Sequence, residues 1–248
     1  MAKHMSKSLR SEVIKALKNQ KEIYGDELFA SDILKAKIVT EKITTKKAKE
    51  EPLLFSDSNE NWEEAEKLEY LNKLICTCTK CDLHKGRNKF VFGVGNPIAD
   101  VMLIGEGPGA EEDKQGEPFV GRAGQLLNDI LKAINFTRQE VYIANVVKCR
   151  PPGNRTPLPE EMESCMPYLE KQIELIKPKL ILCLGLVAAG ALLKKKDSLG
   201  KLRGKIFEFN HTRVMVTYHP AALLRNPNFK RDCWEDVKAF RKLYDEIK

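Results

Sequence analysis

From residue 101 onward, short apolar runs alternate with stretches of helical periodicity, and that alternation leaves few folds open. Val101, Met102, Leu103 and Ile104 form one run that ends in glycine, as a strand buried on both faces does. A helix is expected over residues 124–134, where Leu126, Leu127, Ile130, Leu131 and Ile134 share a face. The pattern then repeats as a strand at 141–147, a helix at 160–176, a strand at 180–184, a helix at 187–193, a strand at 213–217 and a closing helix at 234–247. Such alternation predicts a doubly wound, three-layer α/β/α domain around a central, mostly parallel four-stranded sheet. Ligands of such folds sit beyond the C-terminal ends of the strands. Polar motifs follow Ile104, Val147 and Thr217, so all three fall where a site belongs.

The chain of 248 residues has room for one such domain and an appendage. Leu9, Val13, Ile14, Leu17, Ile23, Leu28, Ile33 and Leu34 recur at helical spacing, and residues 39–60 then turn to Lys, Thr, Glu, Asp, Ser and Asn. The expected organisation is an N-terminal helical extension with a charged linker over 1–60 and a compact domain over 61–248. The linker's Lys46, Lys47 and Lys49 read as a solvated tether, with contact to nucleic-acid phosphates as the alternative. A net charge of +7 permits attraction to a polyanion without establishing it. An odd count of seven cysteines, no secretory leader and no apolar run long enough to span a bilayer point to a reducing cytoplasm.

Cys78 and Cys81 form a C-x2-C pair, and Cys149 and Cys165 return as a wide pair far downstream. Four thiolates can saturate a tetrahedral zinc or the irons of a [4Fe-4S] cluster. Zinc sites favour a second tight pair, so the wide spacing leans toward iron–sulfur, with Cys76 a confounder beside Cys78. Four unconnected buried thiols are the remaining reading, because free cysteine is a common core residue.

The segment Gly105-Glu106-Gly107-Pro108-Gly109 fits neither a dinucleotide fingerprint nor a phosphate loop, and Pro108 removes a donor that a phosphate cradle would use. Its glycines suit a tight turn that brings backbone against a flat ligand. Glu111, Glu112 and Asp113 follow, then Phe119 between Pro118 and Gly121, either a loop anchor or a surface on which a base stacks. Asn145 ends a strand, where its amide can cap a loop or pair with a base edge. Lys148, Cys149, Arg150, Asn154 and Arg155 make a basic, turn-forming stretch. His219 stands before Pro220 at the last strand's end, with Leu223, Leu224 and Arg225 beyond.

Taken together, the 105–121 stretch, Asn145–Arg155 and His219–Pro227, combined with the four cysteines, resemble the family 4 uracil-DNA glycosylases, the iron–sulfur branch of that superfamily. The resemblance covers about residues 72–248. It implies hydrolysis of the bond between uracil N1 and deoxyribose C1′ in single- or double-stranded DNA, the opening step of base excision repair, by a monomer with no membrane role. It further implies one [4Fe-4S] cluster on Cys78, Cys81, Cys149 and Cys165. Phe119 would stack on flipped uracil, Asn145 would read its O4 and N3 edge, and backbone at Glu106, Gly107 and Pro108 would complete the pocket. Glu112 would lie near uracil C5, and His219 near O2, where charge develops. Some glycosylases place a water-activating aspartate where Gly107 stands here, so the resemblance carries no carboxylate to that position. Glu106, or a water held between backbone and Asn154, is left to orient the nucleophile. Arg150, Arg155, Leu223, Leu224 and Arg225 would contact DNA, the leucines as wedge residues. The competing reading is a nucleic-acid-binding module of the same fold without catalysis.

Overall fold

The computed structural model describes residues 61–248. The extension and linker expected over 1–60 lie outside the described residues.

One mixed sheet organises the domain. Its strands are β1 (Val94–Gly95), β2 (Val101–Gly105), β3 (Tyr142–Asn145), β4 (Leu180–Leu184), β5 (Phe207–Phe209) and β6 (Thr212–Thr217). They stand in the order β1-β3-β2-β4-β6-β5. The inner four, β3-β2-β4-β6, pair in parallel, while β1 and β5 add to the edges antiparallel. The expected four-stranded sheet is therefore corrected to a six-stranded one. The two additions are only two and three residues long and half-exposed, so they carry no apolar run of their own.

The helices are α1 (Leu68–Ile75), α2 (Ala110–Gln115), α3 (Arg122–Ala133), α4 (Pro159–Ile176), α5 (Leu186–Leu193), α6 (Leu199–Leu202), α7 (Pro220–Arg225) and α8 (Phe229–Ile247). Alternate residues along each inner strand feed opposite faces of the sheet. Met102, Ile104, Ile181, Cys183, Val214 and Val216 pack with Leu71 of α1, Leu169 of α4 and Leu192 of α5. Val101, Leu103, Leu180, Leu182 and Met215 pack with Leu127 of α3 and with Val237 and Phe240 of α8. Burial on both faces explains why β2 and β4 are apolar at nearly every position.

Local chemistry sets the helix boundaries nearest the site. Pro159 opens α4, and the Leu158 amide donates to Glu161 Oε2 at 2.7 Å, satisfying a donor that the helix leaves free. Pro220 opens α7 in the same way, so the tract that carries Leu223, Leu224 and Arg225 is a short helix. Asp113 of α2 is fully buried and accepts from the Asn88 amide at 2.8 Å, which ties α2 to the chain leading into the sheet. Among the described residues no helix is long and apolar enough to cross a membrane.

Candidate active site

A cleft of about 530 Å³ opens beyond the C-terminal ends of β2, β3 and β6. Glu106, Gly107, Pro108, Glu112, Phe119, Asn145, Asn154, Arg155, His219 and Arg225 all line it, so segments far apart in sequence converge on one cavity. Arg150 is not part of the lining, but its Nε donates to Asn154 Oδ1 at 2.7 Å.

The floor is built on Gly105. A Cβ there would collide with Asn145 Oδ1 and come within 2.7 Å of the Phe119 ring, so only glycine lets amide and ring stand side by side. Asn145 is 2 % exposed, and its Oδ1 is the buried side-chain oxygen or nitrogen without a hydrogen-bond partner among the described residues. Leaving such an atom unpaired costs about 1–3 kcal/mol, so the acceptor is poised for a donor brought by a ligand. Phe119 adopts a left-handed backbone with φ of 55°, a conformation that costs a non-glycine residue roughly 1–2 kcal/mol. Helix α3 presses on it from behind, where a Cβ at Gly124 would collide with the Phe119 carbonyl.

His219 faces the same ring, its centroid 5.5 Å from that of Phe119 with the planes tilted by 30°. It caps α7, its Nδ1 accepting the Ala221 amide at 3.1 Å. Burial, reinforced by the Arg225 charge and opposed by Glu112, pulls the imidazole pKa down to about 4. The ring is therefore neutral near pH 7, and with Nδ1 accepting, the proton sits on Nε2.

Three carboxylates, Glu106, Glu111 and Glu112, complete the lining. Glu112 Oε1 accepts the amides of Val120 at 3.0 Å and Gly121 at 2.9 Å, so Glu112 supports the Phe119 loop as well as facing the cavity. Burial raises the pKa of Glu106, against a Thr156 hydrogen bond and the Arg225 charge. Thr156 lines the cavity, yet nothing in its sequence context between Arg155 and Pro157 marks it. Arg155 is engaged by Glu161 through two bonds, of 2.8 Å and 2.7 Å, which ties the 151–157 wall to α4.

Three expectations change, two of them through burial. Leu223, expected at the DNA surface, is 2 % exposed in the core beside α8, whereas its neighbour Leu224 is 40 % exposed. Lys148, read as part of a basic, turn-forming stretch, is wholly buried, its Nζ donating to the Asn145 carbonyl at 2.9 Å and to Gln172 Oε1 at 2.5 Å. Gln172 in turn donates to the Phe92 carbonyl at 3.0 Å, so the end of β3 is locked to α4 and to the segment before β1.

The third concerns the expected [4Fe-4S] cluster. Burial is the main cause of the raised pKa of Cys81, Cys149 and Cys165, the last to about 12, with neighbouring cysteines adding to each. Yet among the described residues no group of three or more His, Cys, Asp or Glu side chains is placed to hold a metal ion. The assignment of iron–sulfur ligands is corrected accordingly, because metal ligation needs thiolates in coordinating geometry. The sulfurs instead join protein hydrogen bonds. Tyr168 donates to Cys78 Sγ at 3.3 Å and Arg87 Nη1 to Cys149 Sγ at 3.3 Å. Trp62 packs edge-on against Tyr168 at 4.8 Å and closes this corner.

The chain matches the uracil DNA glycosylase superfamily over residues 92–242. It is 43 % identical over 186 residues to a type-4 uracil-DNA glycosylase of Archaeoglobus fulgidus, an alignment covering 72 % of this chain and 94 % of the relative. It is 46 % identical over 181 residues to the type-4 enzyme of Pyrobaculum aerophilum, covering 70 % of this chain and 92 % of the relative. A type-5 uracil-DNA glycosylase of the same organism is more distant, 31 % identical over 146 residues, covering 52 % of this chain and 64 % of the relative.

Proposed function

The chain belongs to the type-4 uracil-DNA glycosylase family, and on that premise we propose that it hydrolyses the N-glycosidic bond of deoxyuridine in DNA, releasing uracil to begin base excision repair. The observation that carries this reading for the cleft is the unpaired Asn145 Oδ1 beside the Phe119 ring. An amide oxygen that lacks a donor matches uracil N3–H, and the amide nitrogen of the same side chain can donate to O4. Cytosine lacks the N3–H, so that pairing discriminates against it.

The reaction requires the base to leave the stack, at a cost of a few kcal/mol. Phe119 receives the flipped ring, with backbone at Glu106, Gly107 and Pro108 shaping the pocket and Glu112 crowding the C5 position. His219 donates from Nε2 to uracil O2, where negative charge grows as the bond to C1′ breaks. A neutral donor whose bond strengthens only then lowers the barrier selectively. Glu106 orients the water that attacks C1′, with Asn154 beside it; the convergence of Glu106, Thr156 and Asn154 on one wall supports this. Arg150, Arg155 and Arg225 face phosphates. Leu224 enters the vacated stack, anchored by its buried neighbour Leu223.

Catalysis is assigned to residues 61–248, with 1–60 a separable extension, and the protein acts as a monomer in the cytoplasm. Support for that compartment comes from seven cysteines that all remain free thiols. Incubation with single- and double-stranded oligonucleotides carrying one uracil tests the function. Free uracil should appear with an abasic site left behind. DNA binding without release would identify an inactive binding module instead.

A further inference from the structure

Phe119 needs to be held from outside the cavity, because its left-handed backbone is strained and its ring forms one wall of the pocket. The residue that does so is Arg138, in the turn between α3 and β3 and absent from the cavity lining. Its Nη1 donates to the Phe119 carbonyl at 3.1 Å and to Asn128 Oδ1 of α3 at 3.4 Å, while Nη2 donates to the Pro118 carbonyl. We infer that Arg138 is a positioning residue for base recognition, fixing the Phe119 ring by clamping the peptide planes on both sides of its Cα. This rests on the reading that Phe119 stacks on uracil.

The geometry explains why two carbonyls matter. The Pro118 carbonyl defines the peptide plane before Phe119, and the Phe119 carbonyl defines the plane after it. Holding both oxygens fixes φ and ψ of Phe119, and with them the direction of its Cα–Cβ bond. The second plane is held at its other end as well, since the Val120 amide donates to Glu112 Oε1 at 3.0 Å. Gly124 closes the remaining side by bringing the α3 backbone against the Phe119 carbonyl. A guanidinium presents rigid, forked donors that match two successive carbonyls, whereas a lysine ammonium is a point donor and cannot reproduce the clamp. Arg138 itself does not line the cavity, so its effect on uracil passes through Phe119.

The test compares R138A, R138K, F119A and the R138A/F119A double variant with the wild type. Inhibition by free uracil and single-turnover excision from a uracil oligonucleotide are measured for each, with thermal unfolding as the control for fold. R138A should weaken uracil inhibition on the order of tenfold, from losing charge-assisted hydrogen bonds that orient the ring, and should slow excision comparably. R138K should recover only part of this loss. In the F119A background, R138A should change either readout by about twofold or less, because the group being positioned is gone. Fully additive losses, or a lower melting temperature with uracil inhibition unchanged, would overturn the inference while leaving the stacking reading intact. Unchanged uracil inhibition in F119A alone would remove the stacking reading, and this inference with it. If R138A does not fold, R138Q, which keeps length and a single amide donor, takes its place in every comparison.

Discussion

The backbone amide of Ala221 donates to His219 Nδ1 at 3.1 Å, and this bond between neighbours on one turn decides which ring nitrogen can act in the cleft. With Nδ1 occupied as an acceptor, a neutral imidazole carries its proton on Nε2. The same residue therefore starts helix α7 and lines the pocket with a ring whose free nitrogen is a donor.

His219→Ala should slow saturated single-turnover excision on the order of 10²–10³-fold, the loss typical of removing a donor aimed at developing negative charge. Affinity for uracil DNA should change little, because the bond strengthens only as charge develops. A loss of DNA binding in proportion to the loss of rate would instead make His219 a binding or structural group.

Stability should depend on pH through the same residue. Its folded-state pKa is about 4 against an ordinary value of 6.5, so between those values the unfolded chain binds a proton that the folded chain does not. That contribution to stability is whole above about pH 6.5 and is lost progressively as pH falls toward about 4. Carboxylates such as Glu161, whose pKa is lowered chiefly by Arg155, act in the same direction at lower pH and are common to any His219 variant. Urea unfolding of wild type and His219→Gln between about pH 7 and 4.5 should show a shallower decline in the variant; equal slopes would mean that the imidazole is not buried in its neutral form.

The inner strands are legible in the sequence because their central residues are covered on both faces, which forces a continuous apolar run in β2 and β4 and an apolar centre in β3 and β6. β1 and β5 are not, since two or three half-exposed residues at a sheet edge leave no pattern. The convergence of Asn145, Phe119 and His219 follows from their place after strands, but their support does not. Lys148 looks like a surface base beside Arg150 until Gln172, on a different helix, is seen to receive it. Arg138 lies in a turn without any motif. Cysteine spacing is compatible with a metal, a cluster or buried thiols, and only the spatial arrangement separates them.

Asn145→Asp should depress uracil excision sharply, on the order of 10²-fold or more, because a site built to pair with a base edge loses heavily when one of its donors is removed. The carboxylate offers a second acceptor toward uracil O4, also an acceptor, and at 2 % exposure water cannot relieve the clash. Steady-state and single-turnover rates on uracil and cytosine oligonucleotides check this. Wild-type rates on uracil would take Asn145 out of the recognition edge.

Leu223 and Leu224 should separate cleanly although they are adjacent. Successive residues on a helix point about 100° apart, so α7 can send one leucine into the core and leave the next on the surface. Leu223→Ala removes a side chain packed with α3 and α8 and should cost about 2–5 kcal/mol of stability, read as a lower urea midpoint. Leu224→Ala, starting from 40 % exposure, should leave the midpoint nearly unchanged. Its effect belongs to base flipping, since an apolar wedge helps to hold the stack open. Excision should therefore slow more on a U·A pair, which must be opened, than on single-stranded DNA, where no partner strand has to be displaced. Equal slowing on both substrates would show that Leu224 supports the pocket rather than the flip.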